Sequence, residues 1–245
     1  MTKDDQTSAP SGRDTISDVG LVGGSIERRV AEAKVPPIVH PAVLAPFRRP
    51  DDAAPFEAFL NKRPLHVEIG FGRPHFLVDL AKAKPEAHVL GFETQRRWVH
   101  KAALAATRHG LTNLRAVEGD ARPYFERCIA PGSVEAVYIL FPDPWWKKKH
   151  HKRRLFQPAF LACIRDRLVP GGYLVARTDV DAYADLMVEQ IDALNDESGP
   201  GQQLALVASS IDDPILSGLP QTHREKKCAQ LDVFVFHLRY ERTEE

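Results

Sequence analysis

A fixed acid, flat aromatic surface and dense positive charge meet in one short stretch, Phe141-Pro142-Asp143-Pro144-Trp145-Trp146 followed by Lys147-Lys148-Lys149-His150-His151-Lys152-Arg153-Arg154. The prolines hold Asp143 in an extended turn, because a residue before proline is pushed away from helical angles. The eight positions from Lys147 to Arg154 carry six lysines or arginines and two histidines. Such a combination can hold a nucleobase by its edge and face while gripping the phosphates beside it. Each part alone has an ordinary explanation: aspartates between prolines form turns, tryptophans fill cores, and basic runs are solvated faces. Their meeting directly after the apolar run Val134 to Phe141, which reads as a buried strand, reverses the balance. In open α/β sheets, ligands sit beyond the carboxyl ends of strands.

A second pattern is spread over three further stretches. Leu65 to Gly72 reads as a strand running into Glu68-Ile69-Gly70-Phe71-Gly72. His88 to Glu93 ends in an acid, and Leu114 to Glu118 delivers Gly119-Asp120. The glycines let backbone approach a ligand, and an acid at the next strand tip accepts hydrogen bonds from ribose hydroxyls. A nicotinamide dinucleotide would require a third glycine at position 75, where His75 stands, and Arg73-Pro74 would crowd a pyrophosphate. A structural turn is the plain alternative for the glycine pair. Three strand ends bearing Glu68 or Gly70, Glu93 and Asp120 suit a ligand with an amine, a ribose and a nucleobase but no phosphate. S-adenosylmethionine is such a ligand, and its positive sulfonium favours an acid-lined pocket.

These residues need a scaffold that gathers separate strand ends. The spacing predicts helices opening at Arg73-Pro74, over 94–109, from Pro158 to Leu168 and from Asp181 to Leu194. Further strands are expected at Tyr173 to Arg177, Leu204 to Ser209 and Asp232 to Tyr240. Strand and helix alternate for most of the length, so a seven-stranded, mainly parallel sheet with helices on both faces follows. The last two strands have no helix expected between them and are assigned to an antiparallel C-terminal edge. This domain occupies residues 65–245. Residues 1–64 are expected to form a flexible arm, polar at first, with a short helix from Ser25 to Lys34. Seven prolines between Pro36 and Pro64 then leave no room for regular elements. His40, Arg48 and Arg49 could touch phosphate there, although solvated arm residues are the simpler reading.

Length and composition bound the rest. The chain has 245 residues, 43% apolar and 27% charged, which is ordinary for a globular protein with a substantial core. Its formal net charge is zero, so only the placement of charge can announce a polyanionic partner. Cys128, Cys163 and Cys228 are far apart with no CxxC, which argues against a disulfide framework and fits a reducing cytoplasm. No apolar leader and no run of eighteen apolar residues is present, so a cytoplasmic protein without membrane association is expected. His75, His150 and His151 lack metal-ligand spacing with acids or cysteines, and no metal is expected. Nothing demands more than a monomer.

From roughly Val67 onward the chain resembles the bacterial tRNA (guanine-N7-)-methyltransferases. The most specific matches are Phe141-Pro142-Asp143-Pro144-Trp145 followed by Lys147, then His151-Lys152-Arg153-Arg154 and Thr178-Asp179. Glu68-Ile69-Gly70-Phe71-Gly72, Gly91-Phe92-Glu93 and Gly119-Asp120-Ala121 match as well. The resemblance implies a Rossmann-like class I methyltransferase fold, S-adenosylmethionine as cofactor, and tRNA methylated at guanine 46 of the variable region as substrate. It implies that Glu68, Gly70, Gly72, Glu93, Asp120 and Asp143 line the cofactor site. Lys147, Asp179, Thr222 and Glu225 would contact tRNA, with Lys152, Arg153 and Arg154 on its phosphates. Asp143 is the expected catalytic residue, acting on the base or orienting the cofactor, and Trp145 either stacks on the base or packs beneath the loop. The chain departs from the family pattern at Arg73-Pro74, at Trp146, and at Arg224, where an aromatic residue is usual.

Two other readings stay open at this level. Exocyclic-amine methyltransferases use an Asp/Asn-Pro-Pro-aromatic loop, which Asp143-Pro144-Trp145-Trp146 approaches but does not match. A non-catalytic RNA-binding relative would keep the fold and lose the cofactor, against which the intact Glu68, Glu93, Asp120 and Asp143 argue.

Overall fold

The computed structural model describes residues 42–44, 58–60, 64–199 and 201–243. The helix expected from Ser25 to Lys34 and the arm residues His40, Arg48 and Arg49 lie outside them. The compact unit that carries the sheet spans Ile38–Glu245. Its first strand, β1, is only Val43–Leu44, paired parallel with Ala116 and Val117. This corrects the expectation that the proline-rich stretch from Pro36 to Pro64 leaves no room for regular elements. Residues 42–45 are the apolar, proline-free gap between Pro41 and Pro46, which suffices for two ladder residues.

The seven expected strands all form: β2 (Leu65–Ile69), β3 (His88–Glu93), β4 (Leu114–Glu118), β5 (Val134–Leu140), β6 (Leu168–Thr178), β7 (Leu204–Ala208) and β8 (Phe236–Arg242). Their order is β1-β4-β3-β2-β5-β6-β8-β7, parallel as far as β6. The chain winds outward from β2 in one direction and then from β5 in the other, so the β2–β5 boundary is the switch point. At the far end the antiparallel pair is present, but the outermost place belongs to β7, with β8 between it and β6. Leu238 and Tyr240 give β8 a buried face, whereas Leu206 and Val207 of β7 are exposed.

From residue 64 onward the helices are α1 (His75–Ala83), α2 (Arg96–Arg108), α3 (Arg122–Arg127), α4 (Pro158–Arg167), α5 (Asp181–Asp196), α6 (Pro214–Gly218) and α7 (His223–Gln230). In α1, Phe76, Leu77 and Leu80 recur at helical spacing and are buried. In α2, Val99, Ala102, Ala103 and Ala106 do the same, and their small size lets the helix lie close to the sheet. Leu65, Val67 and Ile69 of β2 face a core shared with α3, α4 and α5. The opposite face of the sheet packs on α1, α2 and α6.

Helices α6 and α7 fill the connection between β7 and β8, where no helix was expected. A capping box starts α7: the Thr222 hydroxyl accepts from the Glu225 amide at 3.0 Å, and Glu225 accepts from the Thr222 amide at 2.7 Å. Glu225 also faces Arg177 of β6, which is 1% exposed. Arg177 Nη1 donates to both Glu225 oxygens at 2.9 and 2.8 Å, and Nη2 donates to the Leu216 carbonyl at 3.3 Å. Burial pulls the guanidinium pKa down, against the nearby Glu225 charge. This ion pair fastens the whole β7–β8 connection to the sheet. Truncating one partner leaves a buried charge uncompensated, so Glu225→Ala should lower stability by about 3–5 kcal/mol in urea unfolding. Adding Arg177→Met should recover much of that loss, and a small effect of the single variant would show that the pair is not desolvated.

Candidate active site

Strands β2 to β5 run parallel, so their carboxyl ends open on one edge of the sheet. There a cleft of about 650 Å³ is lined by Gly70, Gly72, Glu93, Asp120, Asp143 and Trp145, among others. Glu68 lies deeper, in an adjoining cavity of about 240 Å³ that shares Gly70, Gly72 and Phe141 with the cleft. Gly70 and Gly72 have φ of 74° and 50°, angles at which any side chain is strained. A Cβ on either would project into open space. The two glycines therefore leave a cradle between the cavities that side chains would occupy.

The carboxylates differ in how they are held. Glu93 accepts from the Gly72 amide at 2.8 Å and the Gln95 amide at 2.7 Å, which ties the glycine loop to the tip of β3. Asp120 accepts from the Arg122 amide at 3.0 Å and from its guanidinium at 2.5–3.0 Å. Burial pushes the Asp120 carboxyl up, but hydrogen bonds and charge from Arg122 outweigh it and hold it below its usual range. Glu68 is 3% exposed and its Oε2 has no hydrogen-bond partner. Burial first, then the Glu93 charge, raise its carboxyl well above the ordinary range, with Arg177 opposing. Asp143 is exposed at the rim.

The loop that carries Asp143 is strained and braced. Phe141 and Trp145, on either side of Pro142-Asp143-Pro144, have φ of 53° and 45°. Bulky residues there cost about 1–3 kcal/mol each. The bracing is visible: the Phe141 amide donates to the Arg177 carbonyl at 2.7 Å, and Arg154 Nε donates to the Pro144 carbonyl at 2.8 Å. A 3-10 turn spans Lys148–Arg153. Arg153 lies 4.9 Å over the Trp145 ring, and both line the cleft. Trp146 is half exposed, edge-on to the buried Tyr183 at 6.1 Å. Lys147 and Lys152 are exposed.

The remaining expected tRNA contacts have internal partners. Asp179 accepts from Arg224 through Nε at 3.0 Å and through Nη2, with the Cys228 thiol 3.7 Å away. Arg224 thus covers Asp179. Thr222 and Glu225 are joined in the capping box, and Thr222 lines the smaller cavity beside Glu68. Arg154 is half buried against its own loop. Sequence reasoning missed Arg122, which lines the cleft, holds Asp120 and donates from Nη1 to the Lys152 carbonyl at 2.7 Å. The only cue was an aspartate two residues ahead of it at a helix start. Arg73, singled out in the sequence as a departure from the family pattern, stands in the wall of the smaller cavity, where its Nη1 donates to His223 Nε2 at 2.5 Å.

S-adenosylmethionine fits this arrangement. Glu68 offers an unsatisfied buried oxygen to a cation or donor, Glu93 is fixed by amides at the strand tip, and the glycine cradle gives room. Among the described residues no helix is long and apolar enough to cross a membrane. Nor is any group of three or more His, Cys, Asp or Glu side chains placed there to hold a metal.

Residues 62–238 match the family described as "Putative methyltransferase". A tRNA (guanine-N7-)-methyltransferase of Chromohalobacter salexigens is 40% identical over 190 residues, covering 77% of this chain and 75% of that one. Its counterpart in Photobacterium profundum is 37% identical over 188 residues, covering 77% and 74%. Among solved structures, the 16S rRNA methyltransferase KamB superposes with a TM-score of 0.55 at 16% identity, over 78% of this chain and 93% of that one. A 30S ribosomal A1408 methyltransferase from an uncultured bacterium gives 0.53 at 13%, over 77% and 93%. These two share the fold. The family match, together with such identity over most of both chains, leads to one conclusion: the chain belongs to the tRNA (guanine-N7-)-methyltransferase family.

Proposed function

We propose that the chain transfers a methyl group from S-adenosylmethionine to N7 of a guanine in tRNA, at position 46 as the resemblance implies. The observation that carries this reading is the meeting of Glu93, Asp120 and Asp143 in one cleft whose wall includes Trp145 and Arg153. Acids that suit an amine, a ribose and a base share one space with an aromatic and cationic surface that suits RNA. The cofactor supplies an electrophilic methyl carbon on a sulfonium. Guanine N7 carries an in-plane lone pair and needs no deprotonation, so the residues of this chain have to align the base and exclude water.

In this reading Asp143, fixed by its two prolines, accepts from the guanine N1–H and the N2 amine and favours the positive charge that develops on the ring. Glu93 receives ribose hydroxyls, Asp120 lines the nucleoside end, and Glu68 faces the ammonium group beyond the Gly70–Gly72 cradle. Lys147, Lys152 and Arg153 take phosphates. Asp179, Thr222, Glu225 and Arg154 shape the tRNA side through their own partners. The proposed active unit is the monomer, acting in the cytoplasm.

Incubation with tRNA and labelled cofactor should yield N7-methylguanine, which makes the RNA cleavable after reduction and aniline treatment. An exocyclic-amine product would leave the chain intact and end this reading. Asp143→Ala should lower turnover on the order of 10²-fold or more while cofactor and tRNA affinities hold. A collapse of cofactor affinity would move Asp143 to the cofactor instead. Glu68 gives a second check. A ligand ammonium stabilises its charged form, so below the raised carboxyl value binding releases a proton, and affinity climbs as pH rises toward that value. Calorimetry in mildly acidic buffers of different ionisation heat should show this proton, and Glu68→Gln should abolish it. Identical heats for the wild type would detach Glu68 from the ligand.

A further inference from the structure

A cavity of about 680 Å³ lies between α1 and α2, lined by Arg73, Lys82, Trp98, Lys101, Arg108 and His109 over an apolar floor. None of the roles assigned above uses it. Residues 94–117 contain no aspartate or glutamate but carry Arg96, Arg97, Lys101, Arg108 and Arg115, in a chain whose formal net charge is zero. The acid in the groove, Asp79, already holds Lys82 at 3.4 Å. Arg97, Lys101 and Arg108 are exposed, and among the described residues none of them pairs with a carboxylate. Charge of one sign gathered in a concave surface raises the local concentration of polyanions.

Trp98 organises this charge. Lys101 lies 4.6 Å, Arg97 4.8 Å and Arg73 5.8 Å from its ring centroids. Cations held on an aromatic post have less freedom to lose when they meet an anion. The groove is also continuous with the site. Arg73 lines both the groove and the Glu68 cavity, which in turn shares its glycine loop with the cleft. From Gln95, in the cleft, to Arg108, at the groove's far end, α2 advances roughly 20 Å at its rise per residue.

We infer that the α1–α2 groove is a second anchoring surface for the phosphate backbone of tRNA, engaging a stretch remote from the methylated base. The inference rests on the proposed function, because a substrate polyanion larger than the cleft is what makes a cationic track leading away from it useful. Continuity with the cleft favours RNA over an acidic protein.

The test compares the full chain with a Lys101→Ala/Arg108→Ala variant, on a tRNA transcript and on a short oligonucleotide carrying the target guanine. On tRNA the variant should bind about tenfold more weakly at physiological salt, and its salt slope should flatten by roughly 0.7 to 0.9 per lost phosphate contact. On the oligonucleotide, turnover and cofactor affinity should match the wild type, which a damaged fold would not allow. The conservative Lys101→Arg/Arg108→Lys variant should restore the tRNA slope. Unchanged tRNA affinity and slope in the alanine variant overturn the inference, whether or not the groove takes an acidic protein. A wild type that binds tRNA through this groove yet transfers no methyl group would overturn the catalytic reading alone.

Discussion

Parallel pairing brings four strand ends, and with them four acids, to one edge of the sheet. Negative charges so close in a partly desolvated space repel, and the site is shaped by how each is accommodated. Glu93 spends its charge on the backbone amides of Gly72 and Gln95, which also fixes the glycine loop. Asp120 takes a guanidinium from its own helix start. Asp143 stays in water at the rim. Glu68, fully buried beside Glu93, has none of these outlets, and its carboxyl is driven toward the neutral form. One edge thus presents acids in several electrostatic states, and only Glu68 has an oxygen left without a donor in the interior.

The loop after β5 answers a different constraint. A carboxylate must stand clear of the sheet end while the chain turns sharply into a cationic run. Prolines on both sides of Asp143 restrict it, and the strain passes to Phe141 and Trp145, which are left-handed. Such angles persist only where the surroundings over-determine them. Here the Arg177 carbonyl, the Arg154 guanidinium and the Arg153–Trp145 contact do so. Part of the basic run therefore builds the loop, and its lysines remain exposed.

Much of this was legible in the sequence. Glu93, Asp120 and Asp143 could be placed because short β-rich runs followed by glycine or proline mark strand ends, and parallel strands put those ends together. That Glu68 opens onto a separate cavity was not legible, since alternation along β2 gives the face of the sheet and nothing about cavities. Arg122 escaped notice because its capture of Asp120 looks like an ordinary helix start. Helix α7 buries only Glu225 and Cys228, so it has no apolar stripe to read. Its capping-box spacing, Thr222 to Glu225, is present in the sequence, but such a pair alone does not separate a helix start from a ligand contact. The placing of β8 inside β7 depends on long-range pairing that no local pattern encodes.

Arg122 lines the cleft, and its guanidinium joins Asp120 to the Lys152 carbonyl. Asp120 and the basic loop thus share a single guanidinium. A ligand that draws Asp120 toward itself loosens the tether on the loop, and an RNA that shifts the loop alters what Asp120 can offer. Such linkage is reciprocal in free energy: whatever the first ligand does to affinity for the second, the second does equally to the first. On the proposed reading, cross-talk between cofactor and RNA therefore requires no domain movement, only one side chain with two obligations.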